Sequence, residues 1–121
     1  MSLTCVTGQT YSLSGSAPYG IRGEDYRITC QIFGGNFLRT DVIWFMKNSI
    51  KVCEQPFTCN PNPQTDPRIT CGCINGNDRK MYLNITNVQS TDAGTWTCRD
   101  ADVSGGSSQP VTIPVYCKLI Y

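Results

Sequence analysis

The sequence contains no histidine. This absence removes the commonest general base and a common metal ligand, so neither a Ser-His-Asp nor a Cys-His catalytic arrangement can form. Ten Lys and Arg are balanced by nine Asp and Glu, so the chain lacks the basic surface of a nucleic-acid-binding domain. No run approaches the roughly 18–20 apolar residues of a membrane-spanning helix. We therefore expect a binding module and not an enzyme, with no cofactor, no metal and no nucleic-acid partner.

Cysteine, in contrast, is abundant, with eight residues in a chain of 121. Cytosolic thiols are kept reduced and are rarely so numerous in a small domain, so this density indicates an oxidising compartment. We expect an extracellular protein, either secreted or displayed at the cell surface.

The length matches a single domain, since domains cluster near 100–150 residues. We interpret residues 1–3 as a short addition at the start of the chain and residues 4–121 as the domain itself. The chain opens without the charged and apolar segments of a signal peptide. We expect a domain excised from a longer protein, whose secretion signal has been removed and whose membrane anchor lies outside this segment.

Short β-branched and aromatic runs alternate with Gly, Asn, Pro and Ser along the whole chain, which predicts an all-β sandwich or barrel. Asn75-Gly76 is the clearest hairpin signal, and 88–93 is short enough for one helical turn between strands. The predicted strands are 26–33, 41–46, 49–53, 68–74, 80–88, 94–99 and 110–119.

One constellation is specific. Cys30 is followed by Trp44 and, sixty-eight residues after Cys30, by Cys98, which ends an Asp-x-Gly-x-Trp-x-Cys sequence beginning at Asp92. This pattern resembles the V-set (variable-type) domains of the immunoglobulin superfamily. The resemblance implies a two-sheet, Greek-key β-sandwich pinned by a Cys30–Cys98 disulfide, with Trp44 packed against that bridge.

The resemblance also assigns structural roles around the second cysteine. It implies an ion pair between Arg68 and Asp92. Trp96 stands where the family has a tyrosine whose hydroxyl bonds to the backbone, and we do not carry that hydrogen bond over to the indole.

Six cysteines remain, and six allow fifteen pairings. Cys71 and Cys73 lie two apart on one predicted strand, too far apart to bridge each other without strain, so each is expected to pair elsewhere. By the V-set arrangement, we expect Cys53 and Cys59 to pair with them as extra disulfides near one edge of the sandwich. That arrangement leaves Cys5 with Cys117, in the two terminal strands. The alternative for the four central cysteines is a thiolate zinc site, whose usual spacing they lack.

Strand alternation predicts which side chains face outward. If Trp44 points into the core, Ile43, Phe45 and Lys47 project from the opposite face, and Arg99 joins them if Cys98 points inward. By resemblance, this front sheet (the family's strands G, F, C and C′) is the one through which V-set domains pair. The loops at 33–40 and 100–109 correspond to antigen-contacting loops, and in the first of them Phe37, Leu38 and Arg39 are candidate contacts.

Asn84-Ile85-Thr86 is an N-glycosylation sequon, and Asn84 is expected to point outward from the back sheet. The resemblance implies the ligand-binding domain of an immune-type receptor or adhesion protein, with another protein or a second copy of itself as partner. The alternative is a secreted innate-immune domain that binds carbohydrate or a microbial surface. Its aromatic candidates would be Tyr19, Phe33 and Phe37.

Overall fold

The computed structural model describes residues 10–34, 42–60, 66–101 and 106–118. Ten strands and one short 3₁₀ turn, Ser90–Asp92, account for the regular structure of these residues. The strands are β1 Thr10–Gly15, β2 Gly20–Ile21, β3 Tyr26–Phe33, β4 Val42–Lys47, β5 Ile50–Pro56, β6 Ile69–Ile74, β7 Asn77–Ile85, β8 Gly94–Asp100, β9 Val111–Ile113 and β10 Val115–Tyr116. No helix among the described residues is both long and apolar enough to cross a membrane.

Two antiparallel sheets of four strands form the sandwich, which confirms the predicted all-β, two-sheet fold. The back sheet has the order β1-β3-β7-β6 and the front sheet the order β5-β4-β8-β9. The chain changes sheet between β3 and β4, between β5 and β6, and again between β7 and β8. A small parallel pair, β2 with β10, lies outside the two main sheets.

The core lies between the sheets and follows the period-2 alternation of the strands. On β3, Ile28, Cys30 and Ile32 are buried while their neighbours are exposed or half-buried, and β7 alternates in the same way. The largest fully buried side chains include Trp96, Phe45, Phe57, Ile28, Ile43, Met81 and Leu83.

Turn chemistry matches the hairpin prediction. Asn75 and Gly76 join β6 to β7 with φ of 53° and 71°, the left-handed geometry that Asn-Gly supports in a two-residue hairpin. A second hairpin, between β4 and β5, uses Asn48 and Ser49 with φ of 50° and 66°. The turn predicted within 88–93 is present as Ser90–Asp92.

The predicted orientation of β4 is wrong. Ile43 and Phe45 are fully buried and Trp44 is only half-buried, so the first two face the core and Trp44 faces outward. Phe45 pairs directly with Cys98, which the disulfide holds inward, and directly paired residues share a face. Because side chains alternate with a period of two, the displacement by one residue moves the whole set to the other face. Phe45 therefore occupies the position beside the Cys30–Cys98 disulfide that the V-set resemblance implies for Trp44.

Candidate functional site: the outer face of the front sheet

The outward side chains of the front sheet form one surface, which we call the front face. Trp44 lies at its centre, paired with Glu54 on β5 and with Arg99 on β8. Val42, Trp44 and Met46 are apolar and half-buried, which makes them the apolar strip of this surface. The front face consists of Val42, Trp44, Met46, Lys51, Glu54, Thr97 and Arg99.

Charged groups surround the indole of Trp44. The Lys51 ammonium lies 5.1 Å from its ring centroid, a cation–π contact, and is 3.4 Å from the Glu54 carboxylate. On the other side, Arg99 uses its Nε to donate to the Asp100 carbonyl at 3.1 Å. Interface centres are enriched in aromatic residues, Met and Arg, which Trp44, Met46 and Arg99 match, whereas charges such as those of Lys51 and Glu54 belong to the polar rim of an interface.

A β-bulge in β5 places Lys51 on this surface. The pairing with β4 runs from Phe45–Cys53 directly to Met46–Lys51, which leaves Val52 as the extra residue. Regular alternation would send both Cys53 and Lys51 to the core side. The bulge keeps Cys53 inward and turns Lys51 outward beside Trp44.

Lys47 does not belong to the front face, which corrects its assignment as an outward contact. It pairs with the inward-facing Trp96, and its Nζ donates to the Thr91 carbonyl at 2.5 Å. The adjacent Asn48 accepts a hydrogen bond from the Thr95 N–H at 2.9 Å and donates its own N–H to the Thr95 carbonyl at 2.8 Å. These contacts fasten the β4–β5 hairpin to β8 and make Lys47 a structural residue.

The predicted Arg68–Asp92 ion pair is present, at the end of the sandwich where the turn Ser90–Asp92 leads into β8. Two guanidinium nitrogens donate to the Asp92 carboxylate at 2.8 and 3.1 Å, and the Gln89 N–H donates to it at 2.7 Å. Burial by itself raises the pKa of Asp92. The hydrogen bonds from Arg68 and Gln89, together with the charges of Arg68 and Lys47, outweigh that effect and lower the pKa below its ordinary value.

Trp96 makes the backbone hydrogen bond that we had not carried over to it. Its side chain is 1% exposed, and Nε1 donates to the Asp92 carbonyl at 3.2 Å. The tyrosine of the V-set pattern bonds to the backbone a few residues upstream in the same way. The indole thus anchors the turn before β8 while filling the core.

Three disulfides are present: Cys30–Cys98, as expected, and two that join Cys53 and Cys59 to Cys71 and Cys73, also as expected, with the individual partners now determined. Cys30–Cys98 joins the two sheets at their centre, with Cα atoms 6.2 Å apart. Cys53–Cys71 joins β5 to β6, and Cys59–Cys73 lies beside it, with Cα separations of 6.6 and 5.5 Å. The four central cysteines are therefore disulfide-bonded, which contradicts the zinc alternative for them. Small domains with three intrachain disulfides are typical of extracellular or secreted proteins.

The remaining predicted positions have different outcomes. Cys117 is exposed and has no disulfide partner among the described residues, while Cys5 lies outside those residues. Phe37, Leu38 and Arg39 also lie outside the described ranges. Asn84 lies on the outer side of β7, as expected from its inward neighbours Leu83 and Ile85.

Sequence reasoning missed Val42, Trp44, Met46 and Lys51 as outward residues. The run of β4 from Val42 to Met46 is apolar throughout, so its alternation carries no orientation signal. The missing information was the register of Phe45 against Cys98, which is a long-range pairing.

No protein-family model matches the chain, and no curated protein matches it.

Proposed function

We propose that this chain is an immunoglobulin V-set domain of an extracellular receptor or adhesion protein, and that it binds another protein through the front face. The observation that carries the proposal is the apolar strip of Val42, Trp44 and Met46 on the outer face of a sheet. Clustered apolar side chains on an exposed sheet mark interaction sites more often than scattered ones do.

Three features support the V-set assignment. The back sheet β1-β3-β7-β6 and the strands β4, β8 and β9 correspond to the two sheets of the simpler immunoglobulin sandwich, and β5 adds the further strand of the variable type. The second feature is the Arg68–Asp92 pair. The third is Trp96, two residues before the second cysteine of the central bridge.

The chemistry of the front face suits a protein partner. Trp and Arg are the residues most enriched among those that dominate binding energy, and here Trp44 and Arg99 are direct cross-strand neighbours. Lys51 and Glu54 add charges of both signs, which would determine orientation and partner choice.

A carbohydrate partner has less support. Of its aromatic candidates, Phe33 ends β3 opposite Thr10. Tyr19 precedes β2, beyond the other end of β3, and makes an edge-to-face contact with Tyr116. Tyr19 and Phe33 therefore do not form one stacking platform.

The test uses a fluorescent tetramer of the chain on cells of its own source, together with sedimentation of the free chain. Trp44→Glu places a charge in the apolar strip and is expected to weaken cell binding at least about tenfold, the equivalent of 1.4 kcal/mol. Protease treatment of the cells should abolish binding, whereas glycosidase treatment should not. Dimers that dissociate in the Trp44→Glu variant would identify a second copy as the partner.

Ser12→Glu is the matched control, since it also introduces one carboxylate on the outer face of a sheet, here the back sheet. Ser12 is exposed on β1 between the buried Tyr11 and Leu13, so a carboxylate there stays in solvent. If Trp44→Glu bound cells and self-associated as the unchanged protein does, the front-face proposal would be wrong. Binding lost only after glycosidase treatment would instead support a carbohydrate partner.

A further inference from the structure

A groove of about 420 Å³ crosses the outer face of the back sheet, opposite the front face. Its volume falls within the roughly 300–1,000 Å³ of small-molecule sites. Its lining includes Arg27, Thr70, Asn84 and Thr86. Asn84, the first residue of the sequon, stands among these lining residues.

The strand register surrounds Asn84 with polar neighbours. Arg27 on β3 and Thr70 on β6 pair directly with Asn84 from its two sides. Arg27 lies over the Tyr82 ring at 4.3 Å, and its Nε donates to Asn84 Oδ1 at 2.8 Å. Asn84 Nδ2 donates to no acceptor among the described residues. Oδ1 of the Asn84 amide is therefore held by a hydrogen bond, whereas Nδ2 remains available to carry a sugar.

We propose that Asn84 carries an N-linked glycan whose first sugar sits in this groove. In the transfer, Nδ2 of Asn84 attacks the anomeric carbon of the first N-acetylglucosamine of a lipid-diphosphate oligosaccharide donor. The C–N bond forms as the C–O bond to the diphosphate breaks. The lipid diphosphate leaves with the electron pair, and the proton lost from Nδ2 passes to a base of the transferring enzyme.

The groove holds the first sugar between two kinds of groups. The Arg27 guanidinium, fixed by Tyr82 and Asn84, provides a flat surface and hydrogen-bond donors. The hydroxyl of Thr70 lies on the opposite side of Asn84 and is available to bond to the sugar's hydroxyl groups. A glycan at this place covers the back sheet and leaves the front face open.

The structure also indicates when the modification takes place. Thr86, the third residue of the sequon, uses both its hydroxyl and its N–H to donate to the Arg68 carbonyl at 2.9 Å. Once β6 has paired with β7, the sequon is part of the sheet. Transfer to the folded domain would therefore require local unfolding, so the sugar is attached before the back sheet closes.

The experiment begins with secretion of the chain from a eukaryotic host and measurement of its intact mass. The expected product carries one glycan, lost in Asn84→Gln and in Thr86→Ala but kept in Thr86→Ser. An unmodified Asn84 in the secreted protein would overturn the proposal. The result is independent of front-face binding, because Trp44→Glu should be glycosylated as the unchanged chain is.

A second measurement tests whether the first sugar binds in the groove. Glycosidase trimming to a single N-acetylglucosamine should leave the Tm a few degrees above that of the same chain produced without glycan. Arg27→Ala should remove this difference, since the sugar then loses its supporting surface. If the single sugar raised the Tm equally with and without the Arg27 side chain, or raised it in neither protein, the proposed position of the sugar in the groove would be wrong. Trimming leaves Asn84 intact, whereas full enzymatic removal would create an aspartate beside Arg27.

Discussion

At the scale of single residues, the opposite orientations of Trp44 and Phe45 have measurable consequences. Phe45 is fully buried beside the central disulfide, so Phe45→Ala should lower the free energy of unfolding by about 3–5 kcal/mol. Trp44 faces outward, so Trp44→Ala should change it by about 1 kcal/mol or less. Urea unfolding followed by circular dichroism measures both. If Trp44→Ala lowered the free energy of unfolding more than Phe45→Ala did, Trp44 and not Phe45 would be the core residue.

The ion pair at Asp92 makes a second prediction, which concerns acid stability. The Asp92 side chain is 8% exposed, and Asp92→Asn should cost about 1.5–3 kcal/mol at pH 7, the range for hydrogen bonds to charged groups. Because folding lowers the pKa of Asp92, the carboxylate stabilises the fold above its unfolded pKa of about 3.9, and the contribution is lost as the pH falls toward the folded pKa.

Urea midpoints at pH 7, 5 and 3 check this, and the gap between the unchanged protein and Asp92→Asn should narrow only below about pH 4. Asp66→Asn is the control, because Asp66 also lies 3.4 Å from Arg68 but is 44% exposed and its amide replacement can still accept the Arg68 N–H. A gap that stayed constant down to pH 3 would contradict the role of the Asp92 charge.

Residues that belong to a motif of several positions could be predicted from the sequence, whereas residues whose orientation depends on a long-range strand pairing could not. Cys30, Cys98, Arg68 and Asp92 were placed correctly because their motif combines several positions. The prediction for Trp44 is wrong because the motif does not determine which face of β4 is buried, and the run from Val42 to Met46 is apolar on both faces. Trp96 differs again: its residue type departs from the pattern, and only the structure shows that its indole N–H donates a hydrogen bond to the Asp92 carbonyl.

At the scale of elements, β1 and β2 had no predicted counterparts. The alternation of β1 is present in sequence, with Tyr11 and Leu13 buried between exposed residues, but Ser and Gly weaken its strand propensity. β2 has only two residues and depends on its parallel pairing with β10. Short edge strands are stabilised by their partners, and that information is not local.

The two disulfides that join β5 and the turn after it to β6 act as one structural element. Their loops interleave, since Cys59 lies between Cys53 and Cys71 while Cys73 lies beyond both. If one bridge is removed, the other still closes nearly the same loop. Each pairwise Cys→Ala change should therefore cost less than the roughly 3 kcal/mol of an isolated 15-residue loop.

Removal of all four cysteines should cost more than the sum of the two pairwise losses, because only then is the loop fully opened. Equilibrium unfolding in urea of the two double variants and the quadruple variant measures this. Strictly additive losses would show that the bridges act independently.

At the scale of the molecule, the two outer faces of the sandwich differ in chemistry. The front face is apolar at its centre and charged around it, whereas the back face presents a groove with Arg27, Thr70 and Thr86 around Asn84. Under the two proposals, one face binds a partner and the other is covered by sugar. The inward faces, in contrast, form a single core that includes Cys30–Cys98 and Cys53–Cys71 and draws on both sheets.

This shared core predicts that the sheets unfold together. The chain has two tryptophans, so Trp44→Phe leaves Trp96, 1% exposed between the sheets, as the single fluorescent probe of the core. Its fluorescence in urea, with disulfides intact, should give the same midpoint as far-UV circular dichroism, which reports on all strands. The two inter-sheet bridges prevent one sheet from leaving while the other stays packed. A separate, earlier fluorescence transition would mean that the core opens before the strands are lost, and that the two sheets are not one cooperative unit.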